Sequence, residues 1–177
     1  MRRHIFRALA DGAPVLFLDI DGVLNKKDSF DKIALSTTID PALADVLNTV
    51  LDRVPECLVV ASTSWRSAVT GAQVYGKGLA RWTGLMDLDG FEFLLRTHRL
   101  HVAGRLAGCT PPDDEVRGRA AQISAWLERN PHGPWAAVDD YEGDDMMALG
   151  GRLVRTDPNV GLSVCNADRL VALLRGA

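Results

Sequence analysis

Residues 15–21, VLFLDID, form an unbroken apolar run that ends in two carboxylates and is followed at once by Gly22. A run without polar alternation reads as a strand buried on both faces, the pattern of a parallel sheet covered by helices. Asp19 and Asp21 are one residue apart, so along an extended chain both carboxylates nominally point to one side and Ile20 to the other. Gly22 lets the chain turn sharply at the strand's carboxyl end and leaves room there for a ligand.

Two more runs end in the same way. CLVVAST, residues 57–63, finishes in Ser62 and Thr63, and WAAVDD, residues 135–140, finishes in Asp139 and Asp140. Between the first two, Asp40 and Pro41 make a helix cap and first-turn proline, followed by Leu43, Val46, Leu47, Val50, Leu51 and Val54 at helical spacing. Residues 22–39 read as a loop, flap or small hairpin over the strand end. Helical segments are expected over 65–82, 91–98 and 166–175, with strands at 100–104 and 152–156. The polar TPPDDE stretch reads as a break and helix start, and Val116, Ala120, Ile123 and Leu127 mark the helix, closed by Asn130, Pro131 and Gly133. Alternating strands and helices predict an α/β domain with a mainly parallel central sheet, helices on both faces and right-handed crossovers. In such sheets ligands bind beyond the carboxyl ends of the strands, where all three polar termini fall.

The 177 residues suit a single domain, 1–177, with 1–13 as a lead-in. A chain of this size buries roughly 70% of its unfolded surface and needs no structural metal or disulfide. A net charge of −3 argues against a global positive field for nucleic acid, although a local groove is compatible with it. Cys57, Cys109 and Cys165 show no paired spacing and read as reduced thiols. Asp11, Gly12 and Pro14 interrupt the basic start before any signal-like apolar stretch, and no segment approaches the roughly 18 apolar residues of a membrane span. The expected setting is the cytoplasm, with no membrane partner.

Carboxylates gathered at strand ends repel one another and lose hydration, a combination that a cation relieves. Oxygen donors without nearby histidine or cysteine favour a hard divalent ion, Mg2+ above all. A single aspartate at a strand end is usually a turn residue or cap. Three polar strand ends converging on one edge reverse that reading.

LFLDIDGVLN resembles the first motif of the haloacid dehalogenase (HAD) superfamily, an apolar strand followed by two aspartates one residue apart and then glycine. The resemblance implies a Rossmann-like three-layer fold, with Asp19 as the nucleophile that forms an aspartyl-phosphate. It makes Asp21 the acid/base that protonates the leaving oxygen and later activates water. Mg2+ would bind Asp19 and the main-chain carbonyl of Asp21. VVASTSWR is similar to the second motif, with Thr63 as the phosphate-binding hydroxyl and Ser62 or Ser64 able to exchange roles with it; the alternative is that these hydroxyls only cap the next helix. AAVDDYEGDD is similar to the acidic fourth motif, with Asp140 the direct metal ligand and Asp139 a supporting carboxylate. Asp144 and Asp145 read as helix caps. The family's usual third-motif lysine is missing. Arg119 matches that position best, with Arg117 next, and either guanidinium could hold phosphate. Asn25, Trp65 and Arg66 are candidate substrate contacts, the tryptophan more commonly a core residue.

The intervals between motifs are too short for a large cap, so the resemblance implies a capless or minimally capped phosphatase, similar to HAD domains found in RNA-repair proteins. The expected activity is Mg2+-dependent hydrolysis of a phosphate monoester, with a small molecule or a nucleic-acid end as substrate. One alternative is a HAD-derived binding or regulatory domain without turnover. A glycosyltransferase metal motif is the other, disfavoured because the aspartates end the first buried strand.

Overall fold

The structure, a computed structural model, describes residues 12–27, 30–31, 36–37, 39–63, 95–113 and 115–177. The expected helix over 65–82, the first half of the 91–98 segment and nearly all of the 1–13 lead-in lie outside the described residues. So do Ser64, Trp65, Arg66 and most of the interval in which a cap would sit.

Among the described residues, five parallel strands form the central sheet in the order β5-β4-β1-β6-β7: β1 Val15–Leu18, β4 Leu58–Ala61, β5 Leu106–Cys109, β6 Trp135–Asp139 and β7 Leu153–Arg155. Strands β2 (Phe30–Asp31) and β3 (Ser36–Thr37) pair antiparallel as a small hairpin within the 22–39 segment. The sequence-predicted α/β fold with a parallel sheet is therefore the observed one. β1 lies in the centre because every one of its side chains is apolar and buried, which an edge strand could not satisfy.

Alternation along β1 divides the core into two layers. Leu16, Leu18 and Ile20 pack with α1 (Pro41–Arg53) and α3 (Val164–Leu174) through Leu47, Leu51 and Leu170. Val15 and Phe17 pack on the opposite face with Ile123 and Trp126 of α2 (Arg119–Arg129). Phe17 meets Trp126 and Trp135 edge-on, at ring-centroid separations of 5.4 and 6.0 Å. Helix α1 begins as its sequence dictates: Asp40 accepts a hydrogen bond from the Ala42 N–H at 2.9 Å, and Pro41 occupies the first turn.

Two expectations are corrected. The strand expected at 100–104 is a turn, and the strand lies at Leu106–Cys109. Leu100 and Val102 are buried, which explains the apolar signal, but they anchor a turn that Gly104 continues at φ +66°. The true strand offers only Leu106 and Ala107 as apolar cues and carries Gly108 at an irregularity in its pairing with β4. Helix α2 starts after Gly118, at φ +91°, and not at the TPPDDE stretch, because the backbone changes hand there. Asp145 approaches the start of α2, its carboxylate accepting from the Ala120 N–H at 3.4 Å.

β1 is also where the strand order reverses: β4 and β5 lie to one side of it, β6 and β7 to the other. The crevice between β1 and β6 is therefore the topological switch point at which ligands bind in open α/β sheets. Among the described residues, no helix is long and apolar enough to cross a membrane.

Candidate active site

Register places Asp19 at the crevice. Leu18 pairs with Ala61 on one side and Val138 on the other, so the next residue in each strand, Ser62, Asp19 and Asp139, forms a polar row just past the apolar core. The Ser62 N–H donates to the Leu18 carbonyl and the Asp19 N–H to the Val138 carbonyl, both continuing the ladder. Continued alternation sends Asp19 to the α2 face, where Arg119 lies one residue beyond the helix cap.

A single guanidinium nitrogen of Arg119, Nη1, bridges the two buried carboxylates, at 2.8 Å from Asp19 Oδ2 and 2.7 Å from Asp139 Oδ2. Burial would weaken the charge on Arg119, but Asp19 and Asp139 hold the guanidinium more firmly protonated than usual. The same guanidinium stands 5.9 Å from the centre of the Tyr141 ring. Arg117 is exposed and precedes the helix.

Asp19 is 3% exposed, and its Oδ1 has no hydrogen-bond partner among the described residues. Burial first, and then the charge of Asp139, push its carboxyl up to about 7, against the lowering effects of Arg119, the Thr63 side chain and the Ile20 backbone. Asp140 is also raised, by burial and then by Asp139, with Asp21 adding to the effect. Ile20 packs into the opposite core, while Asp21 is held through Oδ1 by the Asn25 amide at 2.9 Å.

Asn25, expected among the substrate contacts, is 2% exposed and accepts from the Gly22 N–H at 2.9 Å as well as donating to Asp21. It is a brace for the turn that carries the acids. Thr63 is fully buried, and its side chain hydrogen-bonds Asp19. Ser62 is buried too, and its hydroxyl has no hydrogen-bond partner among the described residues.

Donor atoms of Asp19, Asp139 and Asp140 lie within 4.8 Å of one another. Asp139 already spends Oδ2 on Arg119 and Oδ1 on the Tyr141 N–H at 2.8 Å. That leaves the orphaned Asp19 Oδ1 and the Asp140 carboxylate as the donors best suited to a cation, with Asp139 in support. An all-oxygen set with an unsatisfied buried acceptor fits a hard divalent ion. The Asp21 carboxylate is not part of this trio.

Gly22 is what lets the trio close. It sits at φ +69°, and a Cβ there would fall on the Asp140 carboxylate. Its carbonyl accepts from the buried Thr156 hydroxyl at 2.9 Å, tying the turn to the end of β7. Sequence reasoning assigned Thr156 no role, since a threonine after a short strand carries no local signal. Gly22→Ala is expected to cost about 1–2 kcal/mol of stability through the left-handed backbone alone. By displacing Asp140 it is also expected to remove the rise in melting temperature that a divalent cation held by this trio would produce. Thermal melts with and without the ion check both effects, and a Mg2+ shift equal to the unsubstituted protein's would refute the second.

A protein-family model described as the HAD domain in Swiss Army Knife RNA repair proteins matches residues 15–167. Comparison with curated proteins and with solved structures gave no match in either case. The matched span runs from the first residue of β1 into α3 and takes in every strand of the sheet together with Asp19, Thr63, Arg119, Asp139 and Asp140, so the chain belongs to the HAD superfamily, in the family of HAD domains from RNA-repair proteins.

Proposed function

We propose that the protein hydrolyses phosphate monoesters with Mg2+, through an aspartyl-phosphate on Asp19, and that its substrate is the phosphorylated end of an RNA strand. At the family level the chain is a HAD-type phosphoesterase. The single observation that carries the finer reading is the Asp19 carboxylate, buried, fixed through one oxygen by Arg119 and orphaned at the other, with Asp139 and Asp140 alongside. The RNA end rests on the description of the matching family.

In this reading Asp19 forms a bond to phosphorus through one carboxylate oxygen as the bond to the leaving oxygen breaks, and Asp21 delivers a proton to that oxygen. Asp21, held by Asn25, then takes a proton from water, which attacks phosphorus and releases Asp19. Arg119 offsets the negative charge that gathers between Asp19, Asp139 and the phosphate. Bound among Asp19 and Asp140, Mg2+ would supply the charge that draws phosphate oxygens into this acidic site. The missing motif lysine is the feature that favoured a binding domain without turnover. Arg119 meets its electrostatic need, because one cationic nitrogen touches both carboxylates.

The test is phosphate release from end-phosphorylated oligoribonucleotides, nucleotides, sugar phosphates and phosphopeptides, with Mg2+ and with EDTA. Turnover confined to the Mg2+ arm and highest on oligoribonucleotides is expected. Tight binding of these ligands without product across the whole panel would replace the hydrolase with a binding domain.

A further inference from the structure

Tyr141 is a large aromatic residue left half exposed beside a buried charge cluster. Its position is fixed from several sides. The Tyr141 N–H donates to Asp139 Oδ1, Glu142 next to it pairs with Arg155 at the end of β7, and Gly143 has no Cβ because one would fall on the tyrosine ring. The Arg119 guanidinium stands 5.9 Å from the ring centre while its Nη1 grips Asp19 and Asp139. Packing alone is a poor explanation for an aromatic residue held beside the phosphate-side guanidinium yet half exposed to solvent.

We infer that Tyr141 is a specificity-determining residue: the platform on which the base of the terminal nucleotide stacks while its phosphate lies against Asp19 and Arg119. This rests on the phosphatase reading above and names the part of the substrate that the site recognises. An aromatic face accepts any base, so recognition would be of an RNA end in general and not of a sequence. Because the ring is already held, stacking costs little ordering.

The experiment compares kcat/KM for an end-phosphorylated oligoribonucleotide with that for the same strand ending in an abasic residue. The unsubstituted protein is expected to favour the base-bearing strand roughly tenfold, the fold-change of one stacking contact. Tyr141→Phe keeps that ratio, Tyr141→Leu removes it, and Gly143→Ala, which pushes the ring aside without changing its chemistry, lowers it as well. A ratio of one in the unsubstituted protein, or a ratio that survives Tyr141→Leu, overturns the proposal and shows Tyr141 acting only on Arg119. A preference for phosphotyrosine peptides that Tyr141→Leu removes, with the RNA ratio untouched, overturns it in favour of a protein substrate. If no phosphate ester is turned over, the phosphatase reading fails on its own. The platform is then judged by the binding of the same two strands, where equal affinity overturns it and a tenfold difference lost in Tyr141→Leu supports it.

Discussion

Asp19→Asn is expected to lower Mg2+-dependent phosphate release by on the order of 10⁴-fold or more, the scale of losing a covalent nucleophile. Asparagine has nearly the same shape and leaves Arg119 with Asp139, so the fold should persist. The substitution also isolates a pH effect. Asp19 is raised to about 7 in the folded protein, chiefly by burial and by Asp139, against an ordinary carboxyl value near 4. The folded state therefore holds this proton more tightly than the unfolded chain. The stability gained is complete below about pH 4 and is lost as pH rises through 7. Without metal, the melting temperature of the unsubstituted protein should fall across this window relative to Asp19→Asn. Undiminished turnover in the variant would refute the nucleophile, and parallel pH profiles would refute the raised carboxyl.

Arg119→Ala is expected to be the most destabilising exchange in the site. It would leave Asp19 and Asp139, 3% and 2% exposed, with no cation between them. Removing one member of a buried ionic group costs about 3–5 kcal/mol, because the remaining charge is stranded. For a chain of this size each kcal/mol lowers the melting temperature by roughly 2–4 °C. The loss should shrink at low pH, where the carboxylates take up protons, and when Mg2+ is added. Arg119→Lys should recover most of the stability, since Nη1 alone makes both contacts and a point charge meets the same need. Melts of the three proteins across pH check this, and an Arg119→Ala variant as stable as its parent would refute the bridging role.

Much of the fold was legible because its signals are local. The apolar run of β1, the Asp40-Pro41 start of α1 and the strand before Asp139 each carry their own pattern, and each element is where that pattern indicated. β5 escaped because an alanine, a glycine and a half-buried cysteine make a weak strand signal, while nearby Leu100 and Val102 mimic one from a buried turn. What Asn25 touches was not legible for a related reason. Its hydrogen bonds to Gly22 and Asp21 follow from the fold of the turn, which no local pattern spells out.

The residue order alone was sufficient for the parallel α/β sheet and for the three strand ends that carry the acids and hydroxyls, since periodicity and turn chemistry act over a few positions. Which groups meet depended on the sheet's register. Arg119 reaches Asp19 across 100 positions, and Asp140 closes on Gly22 only because β6 lies beside β1 at the switch point. Such contacts follow from strand order and backbone hand, and they convert a pair of aspartates one residue apart into a buried, charge-compensated site.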